Sequence, residues 1–225
     1  MTVPASATSS ILDEGRWIAI DVETTGWSPS EGHVLIELAC VMIERGAIVD
    51  TWASLVNPGR RVPAAAREVH GIDAAMLEGA PDPAAVAPEF RARCSDLPLV
   101  MHHAAFDLGF LKPMLREAGV PPLYNPVVDT LGLARGLFGS GANALGQLRA
   151  SLGLDHEPEH RAAGDARTTA RVLLALVPRW ERERGVRSVA ELAAASQDVM
   201  RVAGRRGPGA EPGGEFASAG RTPAF

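Results

Sequence analysis

The chain has 225 residues, 46% of them hydrophobic and 22% charged, with a net charge of −5 at pH 7. That composition supplies one well-buried domain. It holds no apolar run of the roughly 18 residues that a membrane helix needs, and residues 1–10 lack the basic start and apolar middle of a secretion signal. The acidic balance argues against a protein that grips long nucleic acid by charge alone, but not against one that holds a few nucleotides through metal ions. Cys40 and Cys94 sit in apolar contexts and in no C-x-x-C pair. They read as reduced, buried thiols of a cytoplasmic protein, without zinc.

Residues 1 to about 15 are small and polar and are expected to be disordered. Trp17–Asp21 reads as a short strand, followed by a turn over 24–32. Val34–Glu44 is apolar on both faces, as in a strand covered on two sides, and turns at Glu44-Arg45-Gly46 into a third strand over 47–56. Short helical pieces are expected between Pro63 and Glu78. Asp82-Pro83 then opens a helix toward Cys94, with Pro88 inside it. A fourth strand follows over 97–102, a helix over 105–118 with Phe106, Phe110, Met114 and Leu115 on one face, and a fifth strand over 126–129. Further helices are expected over 130–138, 143–152 and 164–184. A meander followed by strand–helix alternation predicts an α/β fold, a five-stranded mixed sheet with helices on both faces, over residues 16–184. Residues 185–203 read as an extra amphipathic helix capped by Ser188. The Gly/Pro/Arg-rich tail, 204–225, is expected to be disordered.

Four stretches carry the chemistry. Asp21 and Glu23 are two apart on one strand face, a pair of like charges that a cation would stabilise. Taken alone they also fit a polar strand end. Thr24-Thr25-Gly26 adds hydroxyls, backbone N–H groups and a glycine that permits close approach of a ligand. Asp107 lies just inside a helix start at the carboxyl end of a strand, where α/β folds place ligand groups; a charge favouring the helix dipole explains it equally well. Asp165 lies in the first turn of the last core helix, with His160 in the polar loop before it. A loop histidine of this kind is either an ordinary surface residue or a general base. Asp129 reads as an N-cap for the helix starting at Leu131. Glu37 breaks an apolar strand and reads as structural: a buried carboxylate paired with an arginine, or a side chain on a solvated edge. Carboxylate oxygens suit Mg²⁺ and Mn²⁺, and two such ions about 3.5–4 Å apart stabilise the attacking and leaving oxygens of a phosphodiester.

The order Asp-x-Glu-Thr-Thr-Gly (21–26), His-x-Ala-x-Phe-Asp (102–107), His-x-x-x-x-Asp (160–165) resembles the DEDD exonucleases, in the subgroup with a catalytic histidine. Arg67–Ile72 and Val128–Arg135 match as well, and the resemblance spans about residues 16–180. It implies a ribonuclease H-like fold and 3′-to-5′ release of nucleoside 5′-monophosphates with two Mg²⁺ or Mn²⁺ ions. Asp21, Glu23 and Asp165 would hold the first ion. Asp21 would bridge to the second, with Asp107 near that one. His160 would deprotonate the attacking water. Thr24, Thr25 and Gly26 would line the pocket of the terminal nucleotide, and His70 and Phe106 would pack near its sugar and base. The chain departs from the pattern at His103, where an Asn that touches the substrate is usual. The leading expectation is an exonuclease on single-stranded DNA 3′ ends. An RNA-trimming or oligoribonuclease-type enzyme is the alternative, and a module tethered to a DNA polymerase through the helix near 188–203 and the basic tail is a third. For that helix and tail, simple packing and disorder are the plainer account.

Overall fold

A computed structural model describes residues 9–13, 15–141 and 143–205. Most of the disorder expected at the two ends falls on residues outside these. Where it does not, the chain is tied down. Ser10 Oγ donates to the Glu181 carboxylate at 2.9 Å, the Ile11 N–H donates to it at 2.7 Å, and Leu12 is buried. A hydroxyl, an amide and one apolar side chain suffice to dock a segment whose composition reads as loose.

Five strands form one sheet: β1 (Arg16–Thr24), β2 (Leu35–Glu44), β3 (Ala47–Leu55), β4 (Leu99–Met101) and β5 (Val127–Asp129), in the order β3-β2-β1-β4-β5. The first three are antiparallel neighbours, and β4 and β5 run parallel to β1. The helices are α1 (Ala64–His70), α2 (Ala74–Leu77), α3 (Pro83–Cys94), α4 (Ala104–Glu117), α5 (Thr130–Phe138), α6 (Leu145–Ser151), α7 (Ala162–Arg184) and α8 (Val189–Arg205). The expected five-stranded mixed sheet with helices on both faces is what forms. Strand β1 runs to Thr24 rather than stopping at Asp21, because β2 stays paired with it through Glu23 opposite Glu37. Helix α4 continues through Pro113, with Gly109 at the position four residues back that a proline ring would crowd.

Alternation on the strands divides the core in two. Trp17 and Ala19 of β1, Ala39, Val41 and Ile43 of β2 and Val100 of β4 face α5–α8. Ile18, Ile20 and Val22, with Leu38, Cys40, Leu99 and Met101, face α3 and α4. Helix α7 crosses the first face on fully buried Ala162, Ala166 and Ala170, small enough to bring its backbone close to the sheet. The odd-numbered face of β1 is therefore apolar at Trp17 and Ala19. It turns anionic at Asp21 and Glu23, where it meets the start of α7.

Candidate active site

The anionic end of β1 is not isolated. Oxygens of Asp21, Glu23 and Asp165 lie within 4.8 Å of one another. They open into a cleft of about 440 Å³ that Asp107, Glu159, His102, His103, His160, Phe106 and Trp27 also line. Burial and the neighbouring charges of Asp165 and Glu37 push the Glu23 carboxyl well above its ordinary value of 4.5. Arg161 opposes them and Asp107 adds to them. Among the described residues that line the cleft none is Arg or Lys. This is a packed set of hard oxygen donors with an electrostatic cost that a divalent cation would remove.

Asp165 and His160 are positioned by the start of α7. The His160 N–H donates to Asp165 Oδ2 at 3.0 Å, and His160 holds a left-handed backbone at φ 57°. The preceding loop is bound to α7 by ion pairs: Arg171 to Asp155 at 2.6 Å and to Glu157 at 2.8 Å, and Arg167 to Glu157 at 3.1 Å. Gly164 makes room for it, since a Cβ there would sit 1.8 Å from the Pro158 carbonyl oxygen. Glu37 resolves to the buried, arginine-paired alternative. Arg161 donates to it through Nη2 at 2.6 Å and Nε at 3.1 Å, and the Ala162 N–H donates at 3.0 Å. A carboxylate of β2 thus caps α7, fixing that helix end against the sheet.

Asp107 is positioned differently. Asp129, expected to cap α5, caps two helices. Its Oδ1 accepts from the N–H groups of Leu131 at 3.0 Å, Gly132 at 3.4 Å and His103 at 3.0 Å, and its Oδ2 accepts from Ala104 at 3.0 Å. The double cap turns the chain sharply at His103, which sits at φ 70°, ψ 55°, a region that Asn, Asp and His enter more readily than other side chains. That backbone is one that a histidine can hold. Asp107 follows in the first turn of α4, 3% exposed. His102 is aligned through its Nδ1, 2.9 Å from Thr130 Oγ1.

Other expected residues sit behind the cleft. Thr24 lines it, but its hydroxyl donates to the Gly26 carbonyl at 2.7 Å. Thr25 and Gly26 are not among the lining residues: Thr25 Oγ1 accepts from the Val34 N–H at 3.0 Å. At Gly26 the neighbour that needs the missing Cβ is the His33 ring, 2.5 Å from where that atom would be. His70 is also outside the lining. It is buried, with Nδ1 accepting from the Ile72 N–H at 2.9 Å, and burial lowers its pKa against the pull of Glu37. Its neighbour Val69 lines the cleft instead. Sequence reasoning missed Trp27, which is 45% exposed and meets Phe106 edge-on with ring centroids 6.2 Å apart. The available signal was a large aromatic placed directly after a polar Thr-Thr-Gly turn.

A family model described as an exonuclease (RNase_T) matches residues 18–173. The 3′-5′ exonuclease DinG of Bacillus subtilis is 36% identical over 167 residues, covering 74% of this chain and 18% of that protein. A DNA polymerase III subunit epsilon-like protein of Rhodobacter capsulatus is 38% identical over 172 residues, covering 74% of this chain and 24% of its own length. The chain thus spans under a quarter of the length of these relatives. Among solved structures, Exonuclease X in complex with 5′ overhanging duplex DNA aligns with a TM-score of 0.64 at 25% identity, over 80% of this chain and 99% of that one. E. coli Exonuclease I in complex with a dT13 oligonucleotide aligns at 0.66 and 16% identity, over 76% and 43%, a likeness of fold.

Proposed function

As the chain belongs to the RNase_T exonuclease family, we propose that it is a metal-dependent 3′–5′ exonuclease that releases nucleoside 5′-monophosphates from single-stranded DNA ends. The observation that carries this is the convergence of Asp21 and Glu23 from β1 with Asp165 from α7, beside His160 and Asp107 in one cleft. The donor set fits Mg²⁺ or Mn²⁺: three carboxylates, no thiolate, and a buried Glu23 made costly to ionise by its anionic neighbours. Asp21, Glu23 and Asp165 would hold one ion, with Asp107 and Asp21 serving a second. Bound there, such ions supply Lewis-acid stabilisation of the attacking and leaving oxygens.

The chain's own groups do the rest. The imidazole of His160 accepts the proton of the attacking water. Trp27 and Phe106 form an apolar wall on which a terminal base can stack, a contact that every base can make. With no lysine or arginine among the described residues that line the cleft, bound cations are what draws phosphate in, so substrate binding and metal loading are coupled. The relatives named for polymerase III make a replicative polymerase the partner to test first. Helix α8 packs Leu192 and Ala193 into the core and leaves an outer side, with Glu191, Ala194 and Asp198 exposed, to such a partner.

The test is digestion of matched, end-labelled DNA and RNA oligonucleotides with Mg²⁺, with Mn²⁺ and with EDTA. Stepwise release from the 3′ end of DNA, abolished by EDTA and lost by about 10²–10³-fold in Asp21→Asn, is expected. Faster release from RNA assigns the same chemistry to the other substrate. An Asp21→Asn protein as active as the original overturns the proposal.

A further inference from the structure

Strand β5 is the edge of the sheet beside β4, and an edge presents unpaired N–H and C=O groups. Helix α8, which lies beyond the residues matched by the family model, supplies what a sixth strand would. Gln197 Nε2 donates to the Val127 carbonyl at 3.3 Å, and the Asp129 N–H donates to Ser196 Oγ at 3.1 Å. Ser196 has no exposed surface, and its hydroxyl proton goes to the Ala193 carbonyl at 2.9 Å, which leaves an oxygen lone pair for Asp129. The close approach is built into α5. A Cβ at Gly132 would lie 2.2 Å from the Ser196 carbonyl oxygen. The helix start is secured by Ser188, whose Oγ accepts from the Glu191 N–H at 3.2 Å, and by Glu191, whose Oε2 accepts from the Arg187 N–H at 2.7 Å, one residue before the cap.

Ser196 therefore holds the backbone of the residue whose carboxylate holds His103 and Ala104, the residues that start α4 and aim Asp107 into the cleft. We propose that Ser196 is a positioning residue for catalysis, acting through Asp129, and that α8 is part of the nuclease rather than an appendage to it. This rests on the nuclease reading above. The Gln197 bond provides the internal control. It also joins α8 to β5, but it ends on Val127, which is not among the residues that line the cleft.

The experiment compares Ser196→Ala and Gln197→Met in the full chain, by thermal melting and by steady-state digestion of a labelled oligonucleotide across a Mg²⁺ titration. Each variant loses one hydrogen bond between α8 and β5, and both are expected to melt about 2–4 °C lower. Only Ser196→Ala is expected to lose kcat, by about 3- to 10-fold with KM near its original value, and to need more Mg²⁺ for half-maximal rate. Gln197→Met stays within about twofold in both. Equal losses in the two variants, or full activity in Ser196→Ala, overturn the inference. An original protein with no nuclease activity under any metal condition overturns instead the function on which it rests.

Discussion

The two walls of the cleft are held by different physics. On the His160 side, a polar loop is bound to α7 by arginine–carboxylate pairs, and the helix end is held to the sheet by Glu37 and Arg161. On the Asp107 side, one buried carboxylate gathers four backbone N–H groups, and a serine from α8 steadies it from behind. The pairs on Glu37 and Glu157 are partly buried, and only the outer pair of Arg171 with exposed Asp155 is fully open to screening by salt. Buried charge-assisted hydrogen bonds to backbone are stronger and tie residues directly to the chain. The His160 wall, held through long side chains and an outer exposed pair, is the one expected to yield first, with the Asp107 wall as the reference.

The sharpest way to break the comparison is Gly164→Ala. The added methyl collides with the Pro158 carbonyl, so the loop must move and His160 with it. Turnover is expected to fall by about 10²-fold while cooperative melting persists. Unchanged kcat would show that the loop's seat does not matter. Next is Asp129→Ala, which strands the N-termini of two helices. A loss of about 2–4 kcal/mol in stability and about ten- to thirtyfold in kcat is expected by chemical denaturation and by digestion assays. A large drop in stability without any change in rate would separate the cap from catalysis.

The smallest effect concerns the point that both walls share. Glu23 carries a raised pKa in the fold, so its ionisation opposes folding. Its contribution is fully present below its ordinary value of 4.5 and is lost as pH rises through the raised value. A cation bound to the ionised carboxylates reverses this loss. The melting increment from added Mg²⁺ should then grow by a few degrees between about pH 5 and about pH 8. An increment that is flat or shrinking over that range contradicts a metal site at Glu23.

Much of this was legible in the residues. The two-faced apolar run of Val34–Glu44 and the Glu44-Arg45-Gly46 turn pointed to the meander, and Asp82-Pro83 and Ser188 marked helix starts. Asp21, Glu23, Asp107, Asp165 and His160 all reach one cleft, as the spacing of the motifs led one to expect. What was hidden depends on long-range partners. Nothing near Glu37 names Arg161, which is 124 positions away. Nothing in Val-Asp-Thr says that Asp129 serves α4 as well as α5. Thr25 and Gly26 fit a ligand pocket on local grounds and His70 by resemblance alone, yet their neighbours are Val34, His33 and Ile72. The same short-range logic passed over Trp27, whose meaning lies in Phe106 across the cleft.

Both imidazoles at the cleft mouth, 103 and 160, stand on left-handed backbone, with φ of 70° and 57°. Handedness there filters mutation before chemistry does. Branched side chains are disfavoured there and glycine, asparagine, aspartate and histidine enter more readily, although Arg45 and Ser95 of this chain also hold positive φ. A substitution at either site is therefore weighed by backbone strain as well as by the charge and reach of the new side chain.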